Sequence, residues 1–193
     1  ATAFTVAMAI LSLAGVAHIM AAAGFTRFAR NLFLVFAALL VLFVPGYDFG
    51  QREHWMVLLT LPYIVACGCR PNKLVLPTAV GAVVGVAACP GFCIKPYFLL
   101  VPVALEIWIL VRLRRPSLVI RSETVAMVIA GIVCAGLTIT YAWSYLEVDM
   151  PTALLAYWSY NSSLQEVFLS AAILLAPASM LVAVAYLARQ KDV

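Results

Sequence analysis

Residues 124–143 read TVAMVIAGIVCAGLTITYAW and carry no charged side chain. A mainly apolar run of about 20 residues is long enough for one helix to cross the hydrocarbon core of a bilayer. Similar runs, separated by charged or Pro- and Gly-rich joints, recur through the 193 residues. This pattern predicts an all-α fold, a polytopic transmembrane bundle of about seven helices that forms one domain over 1–193. The predicted spans are 3–24, 32–46, 55–69, 74–89, 97–113, 124–143 and 167–188.

The composition supports the same class of protein. Hydrophobic residues make up 66% of the chain and charged residues 10%, and the mean hydropathy is +1.08. A soluble domain could not hide so much apolar surface from water, so membrane lipid is the expected surrounding. No basic stripe with interleaved aromatic residues is present, which argues against nucleic-acid binding. The chain starts with Ala1 inside an apolar run, and we expect it to be a piece of a longer protein.

The basic residues predict the orientation of the bundle. Ten of the twelve Lys and Arg residues fall on one side of the alternating seven-span topology, and this side is expected to be cytoplasmic. Arg52 and Lys95 are the two on the other side. The ten are Arg27, Arg30, Arg70, Lys73, Arg112, Arg114, Arg115, Arg121, Arg189 and Lys191.

Two joints on the outer side have features of their own. The spans 32–46 and 55–69 are short, at about 22 Å each, so we expect the loop 46–54 to lie below the membrane surface. Local thinning of the bilayer is the alternative. In the loop 144–166, Asp149 and Pro151 favour the start of an amphipathic helix at the interface, either as an anchor or as a surface for a lipid-linked ligand.

The first candidate site lies in the loop 46–54 and combines Asp48, Gln51, Arg52, Glu53 and His54. Arg suits phosphate or carboxylate groups because its planar fork donates two parallel hydrogen bonds. Glu and His can act as general bases or metal ligands. The alternative is a solvated turn in which Arg52 pairs with Asp48 or Glu53.

The second candidate is Lys95, which precedes Pro96 at the start of the fifth span. It could bind the phosphate of a lipid carrier as a point charge, or it could snorkel to the headgroups. Glu106 lies within the same span, and for this residue we expect a pairing with a basic residue or a protonated buried acid.

The cysteines leave two alternatives open. Cys89 and Cys93 flank Pro90-Gly91-Phe92 on the outer side, where a disulfide could form; the alternative, favoured for most of the cysteines, is a buried thiol that packs as a small hydrophobic group. No His or carboxylate completes a tetrahedral site at a suitable spacing, so a structural zinc is not expected. Gly81 and Gly85 predict close helix packing within the fourth span.

Two strings resemble parts of a known family. The sequence FGQREH at residues 49–54, followed by Leu61-Pro62-Tyr63, is similar to a stretch of bacterial polytopic glycosyltransferases of the GT-C type. The run 95–102, with Glu106, resembles a second stretch of the same proteins. Together the similarity covers roughly residues 30–115.

The resemblance implies an enzyme of the bacterial inner membrane, within the cell envelope, that acts at its periplasmic face. It would transfer a sugar from a polyprenyl-phosphate carrier to a lipid, glycan or protein acceptor. No cofactor is firmly implied, and a divalent metal is left open; the oligomeric state is not predicted. The catalytic candidates are Glu53, Asp48 and His54, and the phosphate-binding candidates are Arg52, Lys95 and Gln51.

One feature of this chain departs from the family pattern. GT-C enzymes commonly carry an acidic catalytic residue in the first outer loop, after the first helix, but the first span here runs from outside to inside. Either a preceding part of the protein supplies that residue, or Asp48 and Glu53 take its place. Two further functions fit the sequence: a transporter or flippase for a lipid-linked or anionic solute, and a non-catalytic subunit of a membrane complex.

Overall fold

The computed structural model describes residues 2–46, 49–72, 74–94, 96–114 and 120–159. All regular structure in these ranges is helical, which confirms the predicted all-α class. Short 3-10 turns cover Arg70–Asn72 and Pro96–Leu99, and a π-helical turn covers Tyr145–Asp149. The α-helices of the described ranges are α1 (Thr2–Ala22), α2 (Arg27–Phe43), α3 (Arg52–Cys69), α4 (Thr78–Cys93), α5 (Leu100–Leu113), α6 (Ser122–Tyr141) and α7 (Met150–Ser159).

The chain divides into two compact units, Ala1–Val133 and Cys134–Val193. The first contains α1 to α5 and the first part of α6. The second contains the end of α6, the π-helical turn and α7. The features described below belong to the first unit.

Helix α3 is central in the first unit and packs against both α1 and α4. It runs parallel to α1, since the Phe4 ring stacks on Trp55 near the start of both helices, with ring centroids 5.0 Å apart. It runs antiparallel to α4. Gly91, late in α4, lies against the middle of α3 at Thr60, whereas Gly81, early in α4, lies against Glu123, which pairs with Arg70 at the end of α3. One turn further along α3 than Thr60, the Tyr63 ring meets the Phe92 ring edge to face, with centroids 5.8 Å apart.

The outward-facing surface is apolar where a soluble protein would be polar. Val128 and Ile132 on α6 are 52% and 67% exposed, whereas Glu123 at the start of the same helix is 1% exposed. Within the described residues, two helices are long and apolar enough to cross a membrane, α1 and α6, and α4 is a shorter apolar helix. Arg70, Arg121 and Glu123 are buried, whereas large apolar side chains along the helices are exposed. An exposed apolar surface of this kind is compatible with a lipid surrounding.

The helix boundaries differ from the sequence prediction at several joints. Helix α2 starts at Arg27 instead of residue 32, because Thr26 caps it by accepting a hydrogen bond from the Ala29 N–H at 3.2 Å. Helix α3 starts at Arg52 instead of residue 55. Charged residues mark the edge of an apolar run, but arginine is a good helix former and can belong to the helix that follows. At 17 and 18 residues, α2 and α3 are about 26 and 27 Å long, so they are less short than the sequence suggested.

Further boundaries move at the fourth and fifth spans. Helix α4 begins at Thr78 and continues through Pro90 to Cys93, so the predicted joint at Pro90 is helical. Helix α5 begins at Leu100, after the 3-10 turn. Helix α7 contains the first part of the predicted amphipathic helix. The predicted span 167–188 lies outside the described residues.

Candidate functional site

The predicted polar cluster forms the first turn of α3. Gln51 and Arg52 are exposed, Glu53 is half-buried and His54 is 5% exposed. Arg52, Glu53 and His54 therefore lie in the first turn of α3, and Gln51 is its N-cap, whereas the sequence analysis placed all four in a loop. The two remaining candidates, Asp48 and Lys95, lie outside the described residues.

A glycine turn fixes the start of α3. Gly50 has φ +80°, and its N–H donates a hydrogen bond to His54 Nδ1 at 3.0 Å. A Cβ at this position would lie 3.1 Å from Thr5 Oγ1 of α1, so glycine is favoured both by its backbone conformation and by the close neighbour. The Phe49 ring packs beside the His54 ring, with centroids 4.9 Å apart.

This turn also constrains the chemistry of His54. Because Nδ1 accepts the Gly50 N–H, a neutral His54 carries its proton on Nε2. The imidazole is then a structural acceptor at one nitrogen and a potential donor at the other. Of the two titratable side chains that follow Arg52, the half-buried carboxylate of Glu53 is the better placed to accept a proton.

A second polar cluster lies at the end of the unit where α3 ends and α6 begins. Arg70, Glu106, Arg121 and Glu123 form a chain of ion pairs, which we call the buried quartet. Arg121 links both carboxylates: it donates to Glu123 Oε1 from Nε at 2.9 Å and to Glu106 Oε1 from a terminal nitrogen. Arg70 donates to Glu123 Oε1 and, at 2.5 Å, to the Leu74 carbonyl. Two positive and two negative charges make the quartet formally neutral.

Hydrogen bonds attach the quartet to α3 and α6. Tyr63 donates its hydroxyl to Glu106 Oε1 at 2.6 Å, and Thr124 donates to the same oxygen at 3.2 Å. The other oxygen, Glu106 Oε2, is buried without a hydrogen-bond partner among the described residues. Burial lowers the pKa of the Arg70 guanidinium, and the nearby charge of Arg121 lowers it further, yet arginine starts from a pKa high enough to stay charged.

The quartet confirms one of the two alternatives for Glu106, a structural pairing with a basic residue. The sequence analysis did not predict that Arg70, Arg121 and Glu123 pair inside the protein. It placed Arg70 and Arg121 only among the cytoplasmic flanking charges. The sequence signal for this pairing was the string Arg121-Ser122-Glu123, which directly precedes an apolar span. Charges of both signs there imply a partner inside the protein.

The glycine pair of α4 makes room for the start of α6. A Cβ on Gly85 would overlap the Glu123 carbonyl oxygen and lie 3.0 Å from the Met127 N, and one on Gly81 would overlap the Ser122 hydroxyl. This confirms the predicted role of the pair in close packing. It also places the Glu123 side chain at the helix interface, within reach of both arginines.

A cavity of about 560 Å³ lies between α4, α5 and α6. Its lining is apolar apart from Glu106 and Thr124 at one end and the thiols of Cys89 and Cys93 on α4. These two cysteines are not disulfide-bonded, and their Sγ atoms are 3.9 Å apart. No group of three or more His, Cys, Asp or Glu side chains in the described ranges is arranged to hold a metal ion.

Comparison with family models, with curated proteins and with solved structures gave no match to this chain.

Proposed function

We propose that this chain is a multi-pass membrane protein that spans the bilayer about seven times. The exposed apolar faces of its helices support this, since α1 and α6 each have the length and hydropathy of a membrane span. The helix directions support it too. α1 and α3 run one way and α4 and α6 the other, as an alternating topology requires.

The distribution of charge supports a cytoplasmic position for the end that holds the buried quartet. Arg70 and Arg121 lie at this end, together with most of the flanking basic residues. Arg52 lies in the first turn of α3, at the opposite end of that helix from Arg70. In this orientation the predicted polar cluster faces the periplasm of a bacterial inner membrane.

For the activity, we propose transfer of a sugar from a polyprenyl-phosphate carrier, in the manner of a GT-C-type glycosyltransferase. The observation that carries this proposal is the placement of Arg52, Glu53 and His54 in one turn at the amino end of α3. The exposed guanidinium of Arg52 would pair with the phosphate. The positive end of the helix dipole favours an anion in the same place.

The reaction needs one base and one group that stabilises the leaving phosphate. The acceptor hydroxyl attacks the anomeric carbon, the bond from this carbon to the phosphate oxygen breaks, and the polyprenyl phosphate leaves with that electron pair. Glu53 would accept the hydroxyl proton, because the Gly50 bond leaves His54 as an N–H donor. Arg52 would stabilise the charge that develops on the phosphate. Asp48 and Lys95 remain candidates for the same two roles.

The test is sugar transfer from a polyprenyl-phosphate donor, measured with the protein in membranes. We expect Arg52→Ala to lower the rate by about 10²–10³-fold, as loss of a charge-stabilising donor does. Glu53→Gln should lower it by about 10²–10⁴-fold. Lys95→Ala is tested beside them. A matched control is Arg112→Gln, which removes an exposed arginine in the last turn of α5. Wild-type rates in Arg52→Ala and Glu53→Gln would refute the site.

A second candidate function is favoured by the buried quartet. A transporter carries polar groups in both halves of its bundle, and the quartet with Tyr63 supplies them at the end away from Arg52. However, α3 and α4 continue as helices through Pro62 and Pro90, instead of breaking at mid-depth. Uptake of a lipid-linked or anionic solute into proteoliposomes without any sugar transfer would identify the transporter.

A further inference from the structure

The cavity between α4, α5 and α6 opens toward the apolar outer surface of these helices. Val103 and Ile107 of α5 and Val128 of α6 line the cavity, yet each of them is more than half exposed. In the membrane setting proposed above, this opening faces lipid, so a ligand can enter from the bilayer. The volume of about 560 Å³ lies within the range of about 300–1,000 Å³ that is typical of small-molecule sites.

One end of the cavity carries a carboxylate with one satisfied and one unsatisfied oxygen. Glu106 Oε1 accepts hydrogen bonds from Tyr63 at 2.6 Å, from Thr124 at 3.2 Å and from Arg121. Glu106 Oε2 is buried without a partner among the described residues. A buried acceptor normally has a donor, because leaving it unpaired costs free energy. Since Glu106 and Thr124 both line the cavity, a ligand at this end can supply that donor.

The neighbouring charges select the head group of such a ligand. The buried quartet is formally neutral, so a protonated amine would bring an uncompensated positive charge into an apolar cavity. A carboxylate or phosphate would place a second negative charge beside Glu106. A hydroxyl donates one hydrogen bond and leaves the charge of the site unchanged. The apolar lining of the remaining cavity favours a hydrocarbon chain.

We propose that this cavity binds an uncharged lipid with a hydroxyl head group and a hydrocarbon tail. The hydroxyl donates to Glu106 Oε2, and the tail follows the apolar wall toward Leu99, which directly precedes α5. No covalent bond forms or breaks. The proposal rests on the membrane setting and not on the sugar transfer, since the cavity contains neither Arg52 nor Glu53.

The experiment is photolabelling of the wild-type chain in phosphatidylcholine vesicles with a decanol derivative that carries a diazirine in its tail. Mass spectrometry locates the label, which we expect on residues of α4, α5 or α6 that line the cavity. Unlabelled competitors are compared at equal mole fraction in the membrane. Decanol should compete about ten-fold or more better than decane, as loss of a hydrogen bond to a charged group implies. It should also compete better than decylamine.

A glycine variant tests the location. A Cβ on Gly131, which lines the cavity, would meet only Cys89 Sγ, at 3.9 Å. Gly131→Leu therefore fits and fills part of the cavity, and labelling should fall about ten-fold or more because the tail loses its space. Gly136→Leu is the matched control on the same helix. It has nothing within 4 Å of the added Cβ, does not line the cavity and should be labelled like the wild type.

The competition series uses the wild-type chain, so it stays informative if a variant folds poorly. Equal competition by decane, or stronger competition by decylamine, would overturn the hydroxyl head group. Wild-type labelling in Gly131→Leu, or label found only on helices other than α4, α5 and α6, would overturn the location.

Discussion

Arg121 links two helices at the end of the first unit where α3 ends and α6 begins. It is 7% exposed and pairs with two carboxylates, Glu106 and Glu123, which come from α5 and α6. Burying a charge is costly unless hydrogen bonds and an opposite charge compensate for it. Removing this guanidinium would leave two buried carboxylates with only Arg70 to balance them.

We therefore expect Arg121→Gln to destabilise the protein by about 3–5 kcal/mol, the range for breaking a buried ion pair by removing one partner. The measurement is unfolding in mixed micelles, followed by circular dichroism. Arg112→Gln, an exposed arginine in the last turn of α5, is the control and should change stability by less than about 1 kcal/mol. Equal losses in the two variants would contradict the role of the quartet.

A glycine substitution tests the contact between α4 and α6. Gly85→Ala should destabilise the fold, because the added Cβ would overlap the Glu123 carbonyl, which belongs to the backbone and cannot rotate away. Overpacking of this kind typically costs about 1–3 kcal/mol. Gly68→Ala is the matched control: it is helical with nothing within 4 Å of the new atom, and it should be neutral or stabilising by up to about 1 kcal/mol. Equal stability in the two variants would show that the helices are farther apart.

At the residue scale, the sequence predicted that Glu106 has a partner but not which one. An ionisable group within an apolar span needs compensation, and that requirement can be read from one position. The partner, Arg121, follows Glu106 by 15 residues, beyond the end of α5. Glu106 and Arg121 meet only because α6 packs beside α5, and no local sequence pattern predicts that packing.

At the element scale, the sequence predicted the existence of the helices better than their ends. The sequence prediction places charged residues outside the spans 32–46 and 55–69, although Arg27 and Arg52 are the first residues of α2 and α3. The limits of an apolar run mark where a membrane ends, whereas capping and backbone hydrogen bonds decide where a helix ends. The shift matters because it places the candidate site on a helix.

The cap of α2 provides a test at this scale. Thr26→Ala removes the oxygen that accepts the Ala29 N–H and should cost about 1 kcal/mol of stability. Thr26→Ser keeps the acceptor and should stay close to the wild type. The free energy of unfolding of the two variants in micelles makes the comparison. A loss of the same size in Thr26→Ser would mean that the methyl group, and not the cap, stabilises this end.

At the scale of the whole molecule, composition was enough to predict an all-α fold with an apolar exterior. Composition could not predict the buried quartet or the cavity, because both depend on which helix faces pack against one another. The proposed orientation links these scales. It places the first turn of α3 on the outer side and the start of α6, with the quartet, on the cytoplasmic side.

The most direct test of that orientation is labelling with a membrane-impermeant maleimide in intact bacterial cells. Single cysteines are introduced at Gln51 and at Ile120, both exposed, in a chain whose five native cysteines are replaced by alanine. We expect Gln51→Cys to be labelled in intact cells, and Ile120→Cys only after the inner membrane is permeabilised. Labelling of both positions in intact cells, or of Ile120→Cys alone, would contradict the proposed membrane topology and with it the periplasmic site.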